Sequence, residues 1–183
     1  MTIYDALSKD HREFERLLDR LLEASKQGDD GWKGILDELR RGVLAHAHAE
    51  EALFYNALRD ADQAKGLVMH SYAEHAKSET MMRALGAAKL VDANWTSMVA
   101  KLREDLVHHI QEEESKVFDA ARQVFTDEEA NQLGVAFERL KVEMARTGDS
   151  MVASTVELVA NLLPPRLTDM FRKNVKAGKP RAA

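Results

Sequence analysis

Four long segments of this chain repeat apolar residues at steps of three and four, and each puts a histidine into the stripe that should face a core. The first runs from about residue 3 to 25, with the stripe Leu7, His11, Phe14, Leu18, Leu21. The second, about 31 to 58, reads Leu36, Leu39, Val43, His46, Glu50, Leu53, Ala57. The third, about 62 to 88, reads Val68, Tyr72, His75, Glu79, Met82. The fourth, about 93 to 124, reads Met98, Leu102, Leu106, His109, Glu113, Val117, Ala120, Val124. In three of the four, the next residue of the stripe, one turn after the histidine, is a glutamate. An ionisable group turned inward without a partner costs several kcal/mol, so these seven side chains must satisfy one another or share something charged.

Whether they meet can be tested by arithmetic. In an up-down bundle with short connections, residues equidistant from a turn lie at one height. The midpoint of positions 11 and 46 falls in "KQGDDG", that of 46 and 75 in "RDAD", and that of 75 and 109 on Asp92 of "VDAN". All three are turn signals, and Asp29, Asp30 and Asp92 are suited to cap the helices that follow. Thr2 with Asp5 makes a capping box for the first helix. The four histidines are therefore expected in one layer. The spacing also repeats: His11 precedes the His46/Glu50 pair as His75 precedes the His109/Glu113 pair, so the two hairpins read as copies about a pseudo-twofold axis.

The His-x-x-x-Glu spacing alone decides little, because six of the seven histidines have it. His70 with Glu74 and His108 with Glu112 fall off the stripes and are read as solvated pairs. His48 lies about 200° around the helix from His46 and is expected to be exposed. The stripe set is different. Glu50, Glu79 and Glu113 would repel one another at close range in a core, and a cationic centre converts that repulsion into coordination. The chain has no cysteine, which excludes disulfides, thiolate nucleophiles and iron–sulfur or zinc–thiolate sites. Imidazoles with carboxylates suit iron, manganese or zinc, and seven donors suit two bridged ions. Neither His-Glu-x-x-His nor Glu-x-x-His occurs.

The segments "DHREF" at His11, "HAHAE" at His46 to Glu50, "EHAKSE" around His75 and Glu79, and "HIQEE" from His109 resemble those of the hemerythrin-like family of HHE cation-binding domains. The resemblance covers about residues 1 to 124 and implies an all-α, up-down four-helix bundle around a non-haem di-iron centre, with an oxo or hydroxo bridge. It implies that His11 and His46 bind one iron, that His75, Glu79 and His109 bind the other, and that Glu50 and Glu113 bridge them. Oxygen carriers of the family have histidine where this chain has Glu79, and a bridging Asp five residues after the histidine where it has Glu113. An added anionic ligand favours ferric iron and disfavours reversible oxygen carriage. Glu15 corresponds to Glu79 by the pseudo-symmetry, but Phe14 takes the next stripe position, and Glu15 is left out of the ligand set. Tyr72 is read as a core aromatic rather than a donor to the site; Tyr55 stays open between the two.

Residues 125 to 183 form a second region. "TDEE" at Thr126 caps a fifth helix ending near Gly148, and "SMVASTVELVANLL" gives a sixth, stopped by Pro164 and Pro165. From Arg166 onward, six basic residues against one acidic suggest a solvated or loosely docked tail. These helices are expected to cover a face of the bundle and to be available to a protein partner. The net charge of −5 gives no reason to expect nucleic acid, no stretch reaches membrane-spanning length, and no signal sequence is recognised, so a cytoplasmic protein is expected. Two functions follow from the resemblance: binding or sensing of oxygen, nitric oxide or peroxide, and, as the alternative, a catalase-like or ferroxidase enzyme. Iron donation for repair ranks lower, because the cysteine-containing domain associated with it is missing.

Overall fold

A computed structural model describes residues 1–27, 31–59, 61–88, 91–147 and 153–176. Helix α1 spans Ile3–Gln27. Its start is the reciprocal cap expected from the sequence: Thr2 N–H donates to Asp5 Oδ2 at 2.9 Å and Asp5 N–H to Thr2 Oγ1 at 3.2 Å. Helix α2 runs over Trp32–Glu50, widens into a π-helical turn at Glu51–Tyr55 and closes with Asn56–Leu58. Helix α3 is Asp62–Ala87. Helix α4 is Ala93–Glu112, capped by Asp92, which accepts from Trp95 N–H at 2.8 Å; it too widens into a π-helical turn, Glu113–Val117, and ends with Phe118–Arg122. Among the described residues there is no strand. The expected cap at Asp29 or Asp30 and the turn midpoint at 28–29 lie outside the described residues, as does residue 60 in the second turn.

The core is divided in two. Phe14, Leu18, Leu36, Leu39, Met82, Trp95 and Leu102 build one apolar cluster, with the two indoles 4.8 Å apart. Ile3, Leu7, Phe54, Leu58, Val68 and Phe118 build the other, and helix α5, Asp127–Thr147, adds Leu133, Phe137 and Leu140 to it. The histidine layer lies between them, since His11 follows Leu7 and precedes Phe14 on one face of α1. Helix α5 opens with a capping box between Thr126 and Glu129 and lies against α1 and α2. At Gly134 the chain start crosses so closely that an added Cβ would sit 2.5 Å from the Met1 carbonyl oxygen.

Two readings of the sequence are corrected. The stripe of α4 opens with Trp95 and Val99, which are buried, while Met98 is exposed. The tail is not loose through residue 176. Helix α6, Ala153–Ala160, is followed by α7, Pro165–Lys176, with Pro165 at the first helical position, where a missing N–H costs nothing. Leu167 and Phe171, four apart, bury one face, and two of the basic residues find internal partners: Arg166 with Glu129 at 2.8 Å and Arg172 with Glu157 at 2.9 Å. Residues 177–183 of the basic tail lie outside the described residues.

Candidate metal centre

The four stripe histidines are buried and come together as two pairs from adjacent helices. The His11 and His46 rings are 5.1 Å apart between centroids, and the His75 and His109 rings 4.8 Å. Glu50 and Glu113, also buried, lie between the pairs. Glu50 Oε2 is 3.6 Å from His46 Nε2 and 3.5 Å from His75 Nε2. Glu113 Oε2 is 3.3 Å from His11 Nε2 and 3.8 Å from His109 Nε2. Each carboxylate therefore reaches one imidazole of either pair.

Two groups could each hold an ion: His11, His46 and Glu113, and Glu50, His75 and His109. His75 Nε2 and His109 Nε2 are 3.1 Å apart. Donors bound at about 2.0–2.2 Å to one transition-metal ion stand roughly 3 Å from each other, so these separations are those of shared ligands. The donor chemistry fits as well. His11 Nε2 and both oxygens of Glu50 and Glu113 are buried without a hydrogen bond, an arrangement that native cores avoid unless something else fills the gap.

The outward face of each imidazole is held by a carboxylate from a neighbouring helix. His11 Nδ1 pairs with Glu114 at 2.9 Å, His46 Nδ1 with Asp10 at 3.1 Å, His75 Nδ1 with Glu51 at 3.1 Å and His109 Nδ1 with Glu74 at 2.9 Å. This turns Nδ1 outward to a carboxylate and leaves each Nε2 aimed inward, which is how metal-binding histidines are oriented. Asp10 is in turn gripped by Lys141 of α5, whose Nζ lies 2.8 and 2.7 Å from its two oxygens. The pattern obeys the pseudo-twofold: Asp10, His11, His46, Glu50 and Glu51 correspond to Glu74, His75, His109, Glu113 and Glu114.

Electrostatics without an ion are uneven. Burial pushes the Glu50 carboxyl well above the ordinary range, aided by the charge on Glu113. Burial works the same way on Glu113, but the neighbouring Glu50 carboxyl and His11 imidazole outweigh it and hold the group low. Burial would lower His11, yet Glu113 and Glu114 raise it to about 9. Burial dominates at His46, bringing it down to about 4 despite Asp10, and lowers His75.

The structure does not bring Glu79 to either group. Its side chain is one-third exposed and bonds Arg83 at 2.6 Å, one turn on. The inner face of α3 carries Ser71 and Ser78 on either side of His75, where the sequence stripe suggested Tyr72 and Glu79. Both choices satisfy helical steps of three and four; it is the small serines that are buried. Tyr72 is half-buried, and its hydroxyl donates to the Glu51 carbonyl at 3.4 Å, not to the site. Tyr55 stacks on His75 with centroids 5.6 Å apart, its buried hydroxyl beside Glu50. Glu15 and His48 belong to neither buried group, and His48 is half-buried where exposure was expected. His70 and His108 are exposed. The sequence reading missed Asp10, Glu51, Glu74 and Glu114. A signal existed: each is an acid adjacent in sequence to a ligating candidate, in symmetric positions.

Comparison with known proteins agrees with this geometry. The family model described as "Hemerythrin HHE cation binding domain" matches residues 2–121. A DNA nickase from Nostoc sp. (strain PCC 7120 / SAG 25.82 / UTEX 2576) is 24% identical over 143 residues, 77% of this chain and 39% of that protein. The chain thus spans well under half of that relative's length. No solved structure matches. No helix among the described residues is long and apolar enough to cross a membrane.

Proposed function

This chain belongs to the hemerythrin HHE cation-binding family, and from that premise we propose that it holds a non-haem di-iron centre that binds or senses oxygen, nitric oxide or peroxide. One observation carries the reading: the buried layer consists of two groups of two histidines and one carboxylate, with each carboxylate within 4 Å of an imidazole of the other group. Two histidines and a carboxylate are the donor set of non-haem ferrous iron sites that keep coordination positions open, and the shared carboxylates suit two neighbouring ions. Iron so bound would supply reversible binding or reduction of small oxygen and nitrogen species.

The protein's part in this is positioning. Asp10, Glu51, Glu74 and Glu114 hold the imidazoles, and the apolar clusters above and below exclude water. With Glu79 turned to Arg83, the anionic ligand that argued against reversible oxygen binding is not supplied. The buried Tyr55 phenol beside Glu50 favours a second reading, a redox enzyme with catalase-like or ferroxidase activity, because it offers a proton donor within the dry site. DNA nicking is not carried over from the cyanobacterial relative: the alignment covers 39% of it, and a net charge of −5 gives it no support.

The test is anaerobic loading with ferrous iron, determination of the iron-to-protein ratio, and addition of oxygen, nitric oxide or peroxide while the visible spectrum is followed. Two irons per chain and a charge-transfer band that reverses when the gas is removed support binding. Sustained oxygen evolution from peroxide supports the enzyme. A protein that retains no iron contradicts both.

A further inference from the structure

Outside the centre, three more ligating side chains meet on the surface where α3 and α4 run together. His70 Nε2 is 3.4 Å from Glu74 Oε1 and 3.5 Å from Glu112 Oε2, and His108 Nε2 approaches the same Glu112 oxygen at 3.9 Å. The second oxygen of each carboxylate is engaged elsewhere: Glu74 Oε2 accepts from His109 Nδ1, and Glu112 Oε1 from Lys116. The remaining oxygens and the imidazole lie within 4.8 Å of one another. A solvated i,i+4 pair accounts for His70 with Glu74. Glu112 has its own i,i+4 partners in Lys116 and His108, but the oxygen left over from Lys116 also reaches His70 on the other helix and brings a second carboxylate to the same point.

The pseudo-twofold indicates what belongs there. The counterpart of Glu74 is Asp10, which likewise holds a histidine on its inner side and carries the Lys141 ammonium on its outer side at 2.7 Å. The bundle thus places a fixed cation behind one orienting carboxylate, and a histidine and a second carboxylate behind the other. We propose that an exchangeable divalent transition-metal ion binds at His70 Nε2, Glu74 Oε1 and Glu112 Oε2, in the place that Lys141 fills in the other half. One imidazole and two carboxylates without sulfur suit Zn²⁺, Mn²⁺ or Fe²⁺, and two carboxylates balance the ion's charge. Glu74 then bridges the outer ion to His109, so that occupancy of the surface is felt at the centre. The outer site stands on its own geometry; only this coupling rests on the proposed inner centre.

The test counts Zn²⁺ by equilibrium dialysis on the full-length metal-free protein, the single variants His70→Ala and Glu112→Gln, and the double variant, with the His70 ring resonances followed by NMR. The wild type should bind one Zn²⁺ more than the double variant, each single variant should bind that ion at least tenfold more weakly, and the His70 signals should shift as it binds. Equal counts and affinities, or unshifted His70 signals, would overturn the site. Failure of the inner reading looks different: all four proteins would lack the inner ions while the difference of one persisted.

Discussion

A buried imidazole has two nitrogens to satisfy, and in this protein each stripe histidine gives Nδ1 to a carboxylate on a neighbouring helix and keeps Nε2 for the centre. Such orienting partners are worth about 10–100-fold in metal affinity. Asp10→Asn should therefore weaken metal binding by that factor in a chelator competition while leaving the melting profile of the metal-free protein nearly unchanged; an unaltered affinity would remove Asp10 from the site. His46→Ala should abolish binding at one of the two groups, whereas His48→Ala should bind as wild type. Proton release gives a third measure. Without metal, His11, raised to about 9, is cationic at pH 7 and Glu50 keeps its proton; ligation expels both, so metal affinity should fall as pH is lowered. Calorimetry in buffers of different ionisation enthalpy should show about two protons released per chain at pH 7, and no release would contradict the assignment. The six buried candidate donors could be picked out because a helix stripe exposes any polar intruder. Glu79 misled because a stripe resolves direction only to within a residue, and at α3 the neighbouring serines face inward.

At the scale of elements, both buried glutamates of the centre sit where a helix widens. Glu50 directly precedes one π-helical turn and Glu113 opens the other, and such bulges recur at functional sites. Each lets successive acids meet opposite nitrogens of one imidazole: Glu50 and Glu51 at His75, Glu113 and Glu114 at His11. No periodicity in the sequence shows this, because one extra residue in a turn leaves steps of three and four intact. Helix α7 was legible in principle, through Leu167 and Phe171, but the six basic residues from Arg166 to the end of the chain outweighed them. Phe171→Ala should destabilise the protein by about 3 kcal/mol, read from denaturant midpoints; no change would mean α7 is not docked. Gly134→Ala has a different cause. The added methyl meets the Met1 and Thr2 backbone, which cannot yield as a side chain would, and a loss of about 1–3 kcal/mol is expected.

Over the whole molecule, the histidine layer separates two apolar clusters and the two hairpins repeat each other across it. The bundle and its level layer could be read from turn positions, since height in an up-down bundle depends only on chain length between turns. The part played by α5 could not, because Lys141 on Asp10 and Phe137 against His46 at 5.4 Å are contacts across more than ninety residues of sequence. They make the two halves unequal. The central claim is that Glu50 and Glu113 hold two ions side by side, and X-ray absorption at the iron edge on the anaerobically loaded protein tests it most directly. Two irons per chain with an iron–iron distance of about 3.5–4 Å or less, lost when Glu50 and Glu113 are both replaced by Ala, is the predicted result. A single iron per chain with no iron neighbour, or an iron pair indifferent to those two replacements, would contradict it.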